Sequence, residues 1–259
     1  MSVAGFTTRE PNMARVYDYI LGGKDHFAAD REVAEKMMAA TPDTRNTIWA
    51  NRAWLGRAVR FLAGEAGIGQ FLDVGSGLPS KENVHEVAQA IDPAARVAYV
   101  DIDPIVLVHA RALLDINDRT KVIGGDLRHP ERIIEDAAGF LDFEKPIGVM
   151  LGAVMHFIED RDRPYDVVRA LMEALPSGSY MALSHVEDRP HMTEAASVYQ
   201  PFGAKIAFRT RERIAQFFDG LELVEPGLVR VHEWRPLVSG PHFPYRSPVW
   251  SYAAIGRKP

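Results

Sequence analysis

The chain has 259 residues, 47% of them hydrophobic and 25% charged, which is ordinary globular usage and enough for one substantial core. A net charge of −5 at pH 7 offers no uniformly positive surface for nucleic-acid phosphates, and the absence of cysteine removes disulfides, thiolate metal sites and a cysteine nucleophile. Met1 to Met13 holds no apolar run of signal-peptide type, and no stretch reaches the roughly 20 apolar residues of a membrane span. The expectation is a cytoplasmic protein with neither a membrane nor a nucleic acid as partner.

Taken in chain order, residues up to Gln70 read as mainly helical. Asp30 to Ala40 is one candidate helix, and Thr44 to Ala63 is a second that buries Ile48, Leu55, Val59 and Leu62. Arg15 to Phe27, with Gly22-Gly23, interrupts this region. From Gln70 onward, short apolar runs alternate with helical patterns, as in a parallel sheet covered by helices. The predicted strands are Gln70 to Val74, Arg96 to Asp101, Lys121 to Gly124, Pro146 to Leu151 and Tyr180 to His185. Lys81 to Ile91 places Val84, Val87, Ala88 and Ile91 on one helical face. Asp103 is a predicted N-cap with Pro104 at the first helical position, opening a helix over Ile105 to Leu114. Further helices are predicted over Arg163 to Leu175 and Thr210 to Phe218, the latter stopped by Gly220. Glu222 to Trp234 and Val249 to Gly256 read as two extended segments joined by a loop with Pro236, Gly240, Pro241 and Pro244, forming a hairpin-like edge pair.

The segment Phe71-Leu72-Asp73-Val74-Gly75-Ser76-Gly77 is an apolar strand ending in an acid and a glycine turn. Such a turn lets backbone approach a ligand closely, and open α/β sheets bind nucleotides at the carboxyl ends of their strands. Asp101 ends the next strand, where a carboxylate can accept hydrogen bonds from both ribose hydroxyls. At the third strand end, Asp126 can accept from an adenine amino group, with the Leu127 backbone donating to the ring; taken alone, Asp126 also reads as a solvated loop acid. Two acids at adjacent strand ends suit a nucleoside without a pyrophosphate. Ser80 stands where the dinucleotide pattern needs glycine, and no phosphate-binding lysine motif is present. A nicotinamide-dependent oxidoreductase is therefore disfavoured.

Arg15 to Asp25, Asp73 to Val87 and Val100-Asp101-Ile102-Asp103-Pro104 together resemble a bacterial family of S-adenosyl methyltransferases, within the class I, Rossmann-like group. The resemblance spans almost the whole chain. It implies an α/β fold with a mostly parallel sheet, an antiparallel edge strand, helices on both faces and an N-terminal helical cap, divided into a cap or lid over residues 1–66 and a cofactor-binding core over 67–259. It implies S-adenosylmethionine as cofactor, with Asp73, Gly75 and Gly77 around its methionine part, Asp101 at the ribose, and Asp126 with Leu127 at the adenine. Pro79 departs from the third glycine that many class I members carry.

On residues alone, Tyr17 to Phe27 reads equally as a lid over the cofactor or as an amphipathic helix with a glycine C-cap packed on the sheet; the resemblance favours the lid, with Tyr17 at the cofactor. Met155-His156-Phe157 follows the fourth strand, where the transferred methyl is expected, so Met155 is placed at the cofactor. His156 is the candidate base, against a packing role, and His185 is a second candidate. His85 reads as solvated, and the histidine spacing does not suit a metal. Trp49, Trp54, Trp234 and Trp250 read mostly as packing residues with the option of lining an acceptor pocket. Arg209 to Arg213 reads as a capped, solvated helix start. The predicted activity is methyl transfer to a small-molecule acceptor, whose pocket is shaped by the lid and the region from Asp188 to Arg209. A regulatory protein that binds S-adenosylmethionine without transferring its methyl is the alternative.

Overall fold

The computed structural model describes residues 10–80, 82–113, 118–190, 206–236 and 248–259. Among the described residues eight strands form one sheet: β1 (Gln70–Val74), β2 (Arg96–Asp101), β3 (Thr120–Gly124), β4 (Gly148–Gly152), β5 (Tyr180–Val186), β6 (Glu222–Leu223), β7 (Val229–Arg230) and β8 (Ser251–Arg257). The order is β3-β2-β1-β4-β5-β8-β6, with β7 also paired to β8. β1 to β5 run parallel, and β8 inserts antiparallel to β5, pairing Tyr180 with Arg257 and Val186 with Ser251. The order reverses between β1 and β4, so a crevice opens beyond the carboxyl ends of these two strands.

The described helices are α1 (Met13–Leu21), α2 (Ala28–Ala40), α3 (Thr44–Gly64), α4 (Val84–Ile91), α5 (Pro104–Leu113), α6 (Pro130–Ala138), α7 (Pro164–Glu173) and α8 (Arg211–Ala215). The two-residue period of the strands distributes them over both faces of the sheet. Leu72, Val74, Ala98, Val100, Val149, Leu151, Met181 and Leu183 share a core with Ile133 of α6, with Val167 and Leu171 of α7 and with Ile214 of α8. The intervening residues Phe71, Val97, Tyr99, Met150 and Ala182 pack on the opposite side with Trp54, Leu55, Val59 and Leu62 of α3, Val84 and Val87 of α4, and Ala110 of α5. Near-continuous apolar strands are what a sheet covered on both faces requires.

α1 and α2 bury Val16, Ile20, Val33, Ala34 and Met37 in a small core of their own. Inside it, Arg15 Nε lies 2.8 Å from Asp30 Oδ2, with both side chains almost wholly buried. α3, which the sequence groups with the cap, turns its apolar face to the sheet. It also anchors the C-terminal region, because the buried Arg57 donates from Nε to the Trp234 carbonyl at 3.0 Å and from Nη2 to that of Val231 at 2.5 Å.

Several local expectations change. Helix α6 was not anticipated, although Pro130 at its start and Ile133 and Ala137 on one face mark it. The long extended segment from Glu222 to Trp234 is two strands of two residues each, interrupted by Pro226 after a cis peptide bond and by Gly227 at φ 81°. Both pair antiparallel with β8, so the predicted edge pairing exists in shortened form. Asp103 caps α5 as predicted, its Oδ1 accepting from the N–H groups of Ile105 at 2.7 Å and Val106 at 3.3 Å. Lys81, Leu114, the loop residues Gly240, Pro241 and Pro244, and most of the stretch between Asp188 and Arg209 lie outside the described residues.

Candidate active site

A cavity of about 610 Å³ lies at the crevice, walled by α1, α3, the turns after β1, β2, β3 and β4, and residues Ile206, Phe208 and Trp250. At its floor, β1 ends in Asp73 and the chain turns sharply. Gly75 and Ser76 both donate to the Val100 carbonyl, at 2.8 and 3.2 Å, which folds the turn onto β2. Gly75 stands at φ 73°, and a Cβ there would come within 2.3 Å of Val154 Cγ2. The backbone conformation and the close approach of the β4 turn each demand glycine.

Asp73 is buried, and no hydrogen-bond donor among the described residues reaches its carboxylate. Burial pushes its pKa up to about 7, the Asp101 charge adds to this, and the Arg52 guanidinium opposes it. Asp101 accepts from Gly77 N–H at 2.9 Å through one oxygen and from Asp103 N–H at 2.9 Å through the other. Each oxygen keeps a further lone pair for an incoming hydroxyl. Burial raises the Asp101 pKa as well, against these two bonds. Asp126 also lines the cavity, but its carboxylate is already gripped by Arg128, with Nη2 at 2.6 Å and Nε at 3.0 Å from both oxygens. That pairing holds its pKa below the usual carboxylate range. Leu127 is 6% exposed and presents an apolar surface to the same wall.

Tyr17 reaches the cavity from α1, a helix with Asn12 as N-cap and Gly22 at φ 83° as C-cap. The segment is a capped amphipathic helix as one reading had it, packed on α2 and α3 rather than on the sheet, and its residues line the cavity. A relay absent from the sequence reading holds Tyr17 in place. Ala153 N–H donates to Ser184 Oγ at 2.9 Å, Ser184 Oγ to Asn51 Oδ1 at 2.6 Å, and Asn51 Nδ2 to the Tyr17 hydroxyl at 3.2 Å. Ala153 sits at φ 56°, a left-handed conformation that a non-glycine residue keeps only when its surroundings enforce it. The available signal was Asn51 itself, a polar residue on the stripe otherwise formed by Ile48, Leu55 and Val59.

Met155, expected at the cofactor, is not among the residues that line the cavity. It is fully buried in the core on the α6 and α7 side of the sheet, and its neighbours Val154, His156 and Phe157 supply the cavity wall. His156 does line the cavity; burial and the Arg209 charge drive its pKa down to about 3, so its imidazole is neutral. His185 is away from the cavity wall. Its Nδ1 lies 2.7 Å from the Val186 carbonyl, and its Nε2 accepts from Arg209 Nη1 at 2.8 Å, which makes it a packing histidine. Arg209 corrects the reading of its run as solvated: it is 1% exposed and donates to the carbonyls of Met155 at 3.1 Å and Ile158 at 2.8 Å and to Asp160 Oδ1 at 3.0 Å. The rest of that run begins α8 as expected, with Thr210 as N-cap. His85 is likewise buried rather than solvated, its Nδ1 2.8 Å from the Tyr99 hydroxyl. Trp54 and Trp234 are core residues, whereas Trp250 lines the cavity and donates from Nε1 to Asp43 Oδ2 at 2.8 Å. Among the described residues no cluster suited to a metal occurs, and no helix is long and apolar enough to cross a membrane.

A parallel sheet reversing at β1/β4, a glycine turn and acids at three successive strand ends define a class I, Rossmann-like methyltransferase. The family profile described as S-adenosyl methyltransferase matches residues 3–259. A DUF574 family protein from Streptomyces avermitilis MA-4680 is 40% identical and superposes with a TM-score of 0.92 over 97% of this chain and 99% of that one. A protein of Thermobifida fusca YX, provisionally described as a methyltransferase, is 42% identical, with a TM-score of 0.91 over 99% and 98% of the two chains. The 1,6-didemethyltoxoflavin-N1-methyltransferase of Burkholderia thailandensis, solved with 1,6-didemethyltoxoflavin and S-adenosylhomocysteine, shares the fold at 14% identity and a TM-score of 0.51, over 88% of each chain. No curated protein matches the sequence. This chain belongs to the S-adenosyl methyltransferase family, and it is an enzyme dependent on S-adenosylmethionine.

The cavity fits that cofactor on its own terms. Gly77, at φ 65°, has open space where a side chain would stand, and Asp73 is a buried carboxylate with no donor among the described residues, which a cationic ligand satisfies.

Proposed function

We propose that this enzyme methylates a small-molecule acceptor held in the same cavity as the cofactor, beneath the α1 roof. The observation that carries this is the cavity itself: about 610 Å³ is within the usual ~300–1,000 Å³ of small-molecule sites, and its walls come from cap and core together. Asp73, Gly75 and Gly77 take the methionine part, Asp101 the ribose, and Asp126 with Leu127 the adenine. Asp126 shares its carboxylate with Arg128 while doing so.

S-adenosylmethionine supplies a methyl group on a sulfonium, a leaving group that needs no protonation. The protein's task is then mainly to align acceptor and methyl and to exclude water. Tyr17, fixed through Asn51 and Ser184, and Phe157, Phe208 and Trp250 form the surroundings for the acceptor. His156 offers a neutral imidazole there. A pKa of about 3 matches poorly with a base working near neutral pH, so its role is to orient the acceptor. The predominance of carboxylates on the wall, including Asp18, Asp73, Asp101 and Asp162, opposes a nucleic-acid acceptor. We place the enzyme in the cytoplasm, where its cofactor is made available.

The test is transfer from methyl-labelled S-adenosylmethionine into a fractionated cell extract. Label is expected among small molecules; label confined to protein or nucleic acid would overturn the acceptor class.

A further inference from the structure

The turn after β4 and the segment that leads into α8 meet at Arg209. Residues 206–209 run beside the end of β5, with Asp188 N–H donating to the Arg209 carbonyl at 2.9 Å. Alternate residues take opposite sides: Ile206 and Phe208 line the cavity, whereas Ala207 and Arg209 bond to the tight turn Met155–Phe157 and its exit. Ala207 N–H donates to the His156 carbonyl at 2.8 Å. The guanidinium of Arg209 grips the same turn on both flanks, Nη1 donating to the Met155 carbonyl at 3.1 Å and Nη2 to the Ile158 carbonyl at 2.8 Å. His156 and Phe157, held between these anchors, line the cavity. A buried guanidinium is a poor source of stability, because its desolvation is costly and an apolar side chain packs without that cost. What it supplies is direction, since a planar fork fixes two carbonyls at once. Its counter-charge, Asp160, has a side chain 57% exposed and also accepts from Arg213 at 2.8 Å, so removing Arg209 strands no buried carboxylate.

We propose that Arg209 is a positioning residue for methyl transfer: it locks the turn bearing His156 and Phe157 to the segment bearing Ile206 and Phe208, so that both sides of the acceptor wall hold one geometry. This rests on the reading that the acceptor lies in this cavity. Arg209 is not itself among the residues that line the cavity, and it acts through those it holds. The hydrogen bonds that fix Asp101 at the end of β2 are outside the lock, so cofactor affinity and acceptor alignment are separable. Alignment is where the rate is most exposed, because a misplacement of about 1 Å can cost about 100-fold.

The experiment compares the wild type, Arg209→Met and Arg209→Lys at a temperature where each is folded. Three quantities are measured: calorimetric affinity for S-adenosylhomocysteine, total label transferred from methyl-labelled S-adenosylmethionine into a cell extract, and hydrogen exchange of the Ala207 amide. In Arg209→Met, transfer is expected to fall about 10- to 100-fold while S-adenosylhomocysteine affinity stays within about threefold. The Ala207 amide is expected to exchange about tenfold faster or more, with the amides of β5 still protected, which marks a local release rather than general loosening. Arg209→Lys keeps the charge and part of the bonding without the fork, so its transfer should fall between the other two. If Arg209→Met does not fold, Arg209→Lys carries the same three measurements. Wild-type transfer in a folded variant, an affinity loss as large as the transfer loss, or an unchanged Ala207 amide overturns the assignment. Label is summed over all fractions of the extract. Wild-type label found only in protein or nucleic acid therefore overturns the small-molecule acceptor, and the comparison of the Arg209 variants still decides the role of Arg209.

Discussion

Replacing Asp73 with Asn should make the ligand-free enzyme more stable at alkaline pH while weakening its cofactor site. In the folded state burial raises this carboxyl from 3.8 to about 7. Between these values the native protein holds a proton that the unfolded chain has released, so this residue's contribution to stability falls as pH rises through the window and is at its least favourable above 7. A rise of about three pH units at about 1.4 kcal/mol each sets a ceiling near 4 kcal/mol, and water entering the cavity mouth brings the expected gain to about half of that. Asn removes the charge with little change of shape. At pH 8.5 its melting temperature should exceed that of the wild type by roughly 4–8 °C, with the difference shrinking toward pH 5. Thermal unfolding of both proteins, stripped of nucleoside, at pH 5, 7 and 8.5 provides the measurement. A variant no more stable at pH 8.5, or one whose gain is the same at every pH, would refute the idea that an unpaired buried charge resides at Asp73. The wild type should also bind S-adenosylmethionine more weakly as pH drops below about 7, because the cation then competes with a proton.

Gly75→Ala should abolish cofactor binding and lower stability, since the added methyl meets Val154 at a residue with φ 73°; calorimetry showing normal affinity would contradict the close packing of the β1 and β4 turns. Asp30→Ala leaves Arg15 charged and buried in the small α1–α2 core, a loss of about 3–5 kcal/mol for such pairs. The cap should become protease-sensitive before the sheet melts, and simultaneous loss of both would mean that the cap has no separate stability. His156→Gln should lower turnover without moving the pH profile between 6 and 9, because the imidazole is neutral throughout that range. Disappearance of a titration near 6 or 7 in the variant would restore His156 as a base.

The elements on which the site is built were legible in the sequence because their signals are local. An apolar run ending in Asp73 and a glycine turn, a second run ending in Asp101, and a Pro104 helix start capped by Asp103 each arise from neighbours in the chain, and all three are present in the structure. What surrounds a side chain is set by segments distant in sequence, and there local reading failed. Arg209 looks like part of a solvated charged run, but the turn after β4 folds against it and supplies carbonyls from Met155 and Ile158. Met155 and His156 are adjacent, yet one enters the core and the other the cavity wall, a choice made by the direction of a short turn rather than by residue type. The relay from Ala153 through Ser184 and Asn51 to Tyr17 joins four segments spread over 168 positions, the longest step linking residues 133 apart. Its members are individually ordinary polar or small residues. They acquire a common role only because the packing of α1 and α3 over the strand ends leaves their polar atoms buried, where each must find a partner.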